Sequence, residues 1–311
     1  MIRHQAFIEK RKMLKGNLHT HTTRSDGKLT PEEVMRLYKD KGYDFIALTD
    51  HHIYNLKNFN EGLGLTIIPG VETDTHNLMP SGRGYSNFHV VAIGPSKENG
   101  NGYEQDEDIT YINVKNSKEY QPYLDDMHKR NNLTIYCHPQ WSSTPARMFD
   151  TQKGHTAMEI WNTTSVVNYD IDKDAAYWDE LLAQDIKIWG VASDDSHSEH
   201  TLGRGFVMVN AENDINSILE ALKEGKFYSS TGPLIHDFYI ENDKAIIECS
   251  PAVRGALNSM GHQQYLQRPG KEVTRFEFDL NRWPKGYSYI RLDITDKDGN
   301  KAWTNPIFLI D

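Results

Sequence analysis

The sequence predicts an α/β barrel or a doubly wound α/β sheet, followed by a small antiparallel β-sandwich. Short apolar runs alternate with helical periodicity from Lys15 to about Tyr228, and turn chemistry ends the runs. From Leu234 onward apolar and polar residues alternate one by one instead. The style changes after "YSSTGP" (Tyr228–Pro233), so the division is set at residues 1–232 and 233–311. With 311 residues and 38% hydrophobic content, the chain can bury one large core, or one large and one small.

The first apolar packet is Leu14–Leu18. "FIALTD" (Phe45–Asp50), "LTIIPGVE" (Leu65–Glu72), "FHVVAIG" (Phe88–Gly94), "LTIYCHP" (Leu133–Pro139), "AMEIWN" (Ala157–Asn162) and "KIWGVASDD" (Lys187–Asp195) read as buried strands. Thr30-Pro31-Glu32-Glu33 is an N-cap, a proline at the first helical position and acids in the first turn, so a helix follows to Gly42. "YLDDMHKRN", "DAAYWDELLAQ" and "INSILEALKEG" behave in the same way. Thr73–Asn87 and Pro95–Ile109 are polar and glycine-containing, and are expected to be exposed loops that shape access to a site. In the last segment, Asn242-Asp243 and Asp298-Gly299 are the turn signals.

A net charge of −10 argues against a nucleic-acid polymer or an anionic membrane surface as partner. Two cysteines, Cys137 and Cys249, cannot build a disulfide framework, and this favours a reducing compartment. No stretch reaches the roughly 18 apolar residues of a membrane span, and the N-terminus carries no signal-like apolar core. A cytoplasmic location is the default expectation.

The chemistry lies in where the histidines sit. His19 and His21 follow the first strand one residue apart, so alternation puts both imidazoles on one face. Asp26 comes in the next turn. The following strands end in or carry Asp50, His51 and His52, then Glu72, His89, His138, and finally Asp194, Asp195 and His197. Strand carboxyl ends meet at one rim in α/β barrels. Taken singly, His89 reads as a core histidine, Glu72 as a loop carboxylate and Asp195 as a helix cap. Taken together they form a mouth lined with imidazole and carboxylate, which is costly to bury without cations.

"HTHTTRSDG", "LTDHH", "GVE", "FHVVAIG", "YCHP" and "SDDSH" occur in the order of the motifs of the PHP (polymerase and histidinol phosphatase) family, which most of Lys15–Thr231 resembles. That resemblance implies a distorted (β/α)7 barrel holding two or three divalent ions. "LKEGKFYSSTGP" and "DKDGNKAWTNPIFL" look like the carbaryl-hydrolase branch, whose members carry a C-terminal β domain. Carried over by position, His19, His21, Glu72 and Asp195 would hold one ion. Glu72 would bridge to a second held by His89 and His138, and Asp26, His51 and His197 would hold a third. The doubled acid departs from the pattern; Asp-x-His selects Asp195 and leaves Asp194 behind it.

Such ligands suit zinc, iron or manganese without choosing among them. The expected activity is hydrolysis of a phosphomonoester or small phosphodiester by metal-bound hydroxide. Asp50 is expected to orient an imidazole, and His197 or His52 to protonate the leaving group. Arg204 and Arg24 are the expected substrate anchors, with Arg83 in the loop before His89, and Trp141 and Trp161 line the pocket or pack at its rim. One rival keeps the ions and cleaves a carboxylic ester, carbamate or amide. Another is a catalytically idle binding protein. The partner is a small-molecule ester, and the β domain is free to pack on the barrel, shape the pocket or mediate homo-oligomers.

Overall fold

The computed structural model describes the chain apart from residues 10, 57–58, 60–61, 79–84, 96–106, 109–116, 145–151, 173, 260–262, 283–286 and 310–311. Arg83 and most of the expected loop after Pro95 lie outside the described residues. β1 (Leu14–Asn17), β2 (Phe45–Leu48) and β3 (Thr66–Leu78) pair in parallel. β4 (Tyr85–Ile93) runs antiparallel to β3, and β5 (Leu133–Tyr136) antiparallel to β4. β6 (Ala157–Asn162) and β7 (Trp189–Ser193) continue in parallel from β5. Beyond β7 the chain returns to the first strand: Asp195 N–H donates to His19 C=O and His21 N–H to Ser196 C=O, both at 2.9 Å. The segments that follow β1 and β7 therefore lie side by side.

Two sequence expectations change here. Thr73–Leu78 and Tyr85–Asn87 are strand rather than loop, because Thr73 through Leu78 continue β3 and pair with β4 from Tyr85. Thr73 and Thr75 are buried, and β-branched residues suit that pleated ladder. The resulting hairpin also breaks the strand–helix alternation, so the sheet is mixed rather than parallel.

The helices among the described residues are α1 (Pro31–Asp40), α2 (Gln121–Lys129), α3 (Thr163–Tyr169), α4 (Asp174–Leu182) and α5 (Ile215–Lys223). Thr30 and Glu33 form a reciprocal capping box at the start of α1. Its apolar stripe, Val34, Met35 and Tyr38, packs on Ile46 and Leu48.

On the other flank of β1, β8 (Phe206–Val209) and β9 (Phe227–Ser230) extend the sheet antiparallel. The later strands are β10 (Ile235–Glu241), β11 (Lys244–Ala252), β12 (Arg254–Ser259), β13 (Gln263–Gln267), β14 (Val273–Asp279), β15 (Tyr289–Thr295) and β16 (Lys301–Thr304). β10, β11 and β14 form one antiparallel sheet. The others prolong the first sheet in the order β9-β16-β15-β12-β13. Phe238, Ile247, Phe278, Leu257, Ile290 and Leu292 from both sheets share one apolar cluster. The ladders cross the 232/233 division twice, where β9 pairs with β16 and where Ile2–Arg3 pairs with Tyr239–Ile240.

Candidate metal centre

Thr22 C=O accepts the amides of Ser25 and Gly27, which closes a turn after His21. A Cβ on Gly27 would lie 2.7 Å from the His21 carbonyl, so only glycine allows this approach. Asp50 fixes the same turn, accepting from Thr22 N–H at 2.7 Å and Ser25 Oγ at 2.9 Å. Asp26 thereby comes to 3.5 Å from His21 Nδ1.

Three groups of donors adjoin one another. Glu72 Oε2 lies 3.1 Å from His19 Nε2 and 3.0 Å from His21 Nε2, while Asp195 Oδ1 lies 3.3 and 3.1 Å from the same nitrogens. The other Glu72 oxygen, Oε1, faces His89 Nδ1 at 2.9 Å and His138 Nε2 at 3.4 Å. Asp26 Oδ2 is 3.3 Å from His197 Nε2 and 3.8 Å from His51 Nε2. Each set gathers donor atoms within reach of one ion.

The donors fit a cation. Buried Asp195 Oδ1 and His89 Nε2 have no hydrogen-bond partner, a state that costs about 1–3 kcal/mol per group. Burial disfavours a charged His21, yet Asp195 and Glu72 outweigh it and hold its pKa at about 10. His19 and His138 shift upward against burial for the same reason. Burial would raise Glu72, but His19, His51 and His89 keep it well below the carboxylate range. The cluster demands positive charge, which either protons or metal ions supply, so the two compete. Nitrogen and oxygen donors suit zinc, manganese or iron. His138 and Asp195 also hold left-handed backbone, at φ 28° and 50°, a strain that concentrates at functional sites.

Glu159 is a residue that sequence reasoning missed. It is fully buried on β6, and its Oε1 accepts from His19 Nδ1 at 2.8 Å. This fixes the His19 proton on Nδ1 and aims the Nε2 lone pair at Glu72 and Asp195. Glu159 Oε2 accepts the His138 amide and Asn162 Nδ2, both at 2.8 Å. A carboxylate flanked by apolar residues in "AMEIWN" was the available signal. Asp74 was missed as well; its Oδ1 lies 2.5 Å from His52 Nε2.

The three sets border a cavity of about 360 Å³, walled also by Trp141, Thr164, Asn168 and Tyr169. Trp141 sets its ring nearly edge-on to His138, 5.0 Å between centroids.

A family model described as the PHP domain matches residues 17–277. The chain belongs to the PHP family. Among solved structures, it is similar to a two-domain protein from Bacteroides vulgatus containing a predicted PHP-like metal-dependent phosphoesterase (18% identity, 95% of both chains covered, TM-score 0.46). It is also similar to an amidohydrolase from Chromobacterium violaceum with bound sulfate (14% identity, 67% of this chain and 96% of that one, TM-score 0.44). A protein from Bifidobacterium adolescentis assigned as a metal-dependent phosphoesterase matches at 13% identity, over 68% of this chain and 96% of that one, with TM-score 0.42. No curated protein matches.

Within this PHP domain the two adjacent acids part ways. Asp195 faces the donor sets, whereas Asp194 accepts the amides of Gly203, Arg204 and Gly205 at 2.6, 3.0 and 2.7 Å. Four expected roles need correction. Asp50 bonds to Thr22, Ser25 and Asn55, and to no imidazole among the described residues, so it holds the turn. His52 pairs with Asp74 and does not line the cavity. Arg24 bonds Asn55 and lies over the Phe59 ring, outside the cavity wall. Arg204 has its backbone pinned by Asp194, and it lines a different cavity. Trp161 lines that second cavity too, while Trp141 lines the first.

Proposed function

We propose that the protein is a metal-dependent hydrolase that cleaves a phosphomonoester or a small phosphodiester. This reading takes the strands as the family's distorted (β/α)7 barrel and residues 233–311 as an appended β-sandwich. His19, His21 and Asp195 would hold one ion, His89 and His138 a second, with Glu72 serving both, and Asp26, His51 and His197 would hold a third. The observation that carries it is the shared carboxylate, with Glu72 Oε2 toward His19 and His21 and Oε1 toward His89 and His138. Ions held there supply Lewis acidity and an acidified water.

The chain's own residues do the rest. Glu159 keeps His19 in its donor tautomer, and Trp141 and Tyr169 give the substrate an apolar wall. His197 lines the cavity, and Asp26 and Asp195 raise its pKa against burial. If only the first two sets held ions, His197 would be free to protonate the leaving oxygen. The described cavity wall contains no Lys or Arg, so bound ions would have to meet the charge on the ester.

Protein reconstituted with Mn²⁺ or Zn²⁺ and assayed on p-nitrophenyl phosphate, bis(p-nitrophenyl) phosphate, p-nitrophenyl acetate and an aryl carbamate tests this. Turnover of a phosphate ester supports the reading. Turnover of the acetate or carbamate alone overturns it in favour of the carboxyl-centred hydrolase.

A further inference from the structure

Val207 and Val209 of β8 turn inward among Leu14, Phe45 and Val191, and α5 joins that same cluster. The opposite face of β8, Phe206 and Met208, forms part of the wall of a separate cavity of about 800 Å³. Trp161, Val166, Val167 and Leu234 add apolar surface to it. Among the described residues its charged lining is Lys12, Lys15 and Arg204 against the one carboxylate of Asp44, a balance of three to one on a chain whose net charge is −10.

That carboxylate is already engaged. Asp44 Oδ2 accepts Lys15 N–H at 2.9 Å, and Oδ1 stands 3.5 Å from Lys12 Nζ. The Lys15 ammonium sits 4.2 and 4.6 Å from the ring centroids of Tyr43 and Phe206, at the join of the charged and apolar lining. Arg204 is exposed and bonds through Nε to His200 C=O at 3.0 Å, with no carboxylate partner among the described residues.

We propose that this cavity binds an amphipathic organic anion: a carboxylate, sulfonate or phosphate head among the three cations, with an apolar body on Trp161, Val166 and Phe206. It is a second site, separate from the cavity at the metal centre. α3 is the wall between them, since Val166 and Val167 face one cavity and Thr164, Ser165, Asn168 and Tyr169 the other. The proposal does not depend on which ester is hydrolysed.

Titration calorimetry with octanesulfonate below its micellar concentration tests it, on metal-free and Zn²⁺-loaded protein, with octyltrimethylammonium as the opposite charge. The expected result is saturable one-to-one binding of the sulfonate that ignores Zn²⁺ and weakens at least tenfold in Lys12→Gln/Arg204→Gln. Equal binding of the cation, an unchanged affinity in that variant, or binding that requires Zn²⁺ overturns it. So does a stable dimer that buries this face and takes up no sulfonate. Methyl spectra of methionine-labelled wild-type protein give a readout independent of the variant's folding. Met13 and Met208 line the cavity and should shift, while buried Met35 and Met158 should not. Shifts confined to other methionines contradict the site.

Discussion

Just past β1 and β5 and midway along β3 the chain buries His19, His138 and Glu72 to 1, 2 and 1% exposure; between the C-terminal sheets it buries Phe278, Ile290 and Leu292 to 0%. The second region is self-sufficient, since apolar side chains stabilise one another by leaving water. The first holds together only through opposing charges, with a hydrogen-bonding frame around them. Glu159 and Asp194 are that frame: each is a buried carboxylate that spends its oxygens on amides, hydroxyls or one imidazole. Equal burial thus signals stability in one region and chemistry in the other.

The contrast breaks first at Phe278. Phe278→Ala should cost about 3–5 kcal/mol in a denaturant titration and leave metal content unchanged, because it opens a cavity in the self-sufficient core. Loss of ions from the folded variant would mean that the two regions are not separable.

Next comes the frame. Glu159→Gln should weaken metal affinity about 10–100-fold, measured by chelator competition on the folded variant. An unchanged affinity would reduce Glu159 to a packing role.

The smallest effect concerns pH. Burial raises Asp174 to about 7, although the Gln140 amide and His138 oppose it. Its folded pKa lies above the unfolded value, so between about pH 4 and 7 the folded state binds the extra proton and stability falls as pH rises. Asp174→Asn should remove that dependence, roughly 1 kcal/mol per pH unit, in melts at pH 5 and 7. Parallel curves for the two proteins would refute the assignment.

The donor residues were legible because imidazole and carboxylate beside short apolar runs are chemically out of place, even though Glu72 and His89 lie within β3 and β4 rather than at strand ends. Their frame was harder to read. Glu159 lies mid-strand, where alternation hides a single inward carboxylate among apolar neighbours. Arg24 and Arg204 were misread because a motif gives a residue's place in the chain and not the direction of a long side chain. Asp50 was misread for a similar reason: it sits beside His51 in sequence, but its carboxylate turns to the Thr22–Ser25 turn. The antiparallel course of β4 was equally hidden, since a short apolar run carries no direction. The join of β9 to β16 depends on which edge remains free after the first strands pair.

Elemental analysis of Glu72→Ala beside His89→Ala tests the shared carboxylate most directly. Glu72→Ala should lose two ions together, because its two oxygens serve two donor sets, and His89→Ala should lose one. Equal loss of a single ion in both variants would contradict the bridging role of Glu72.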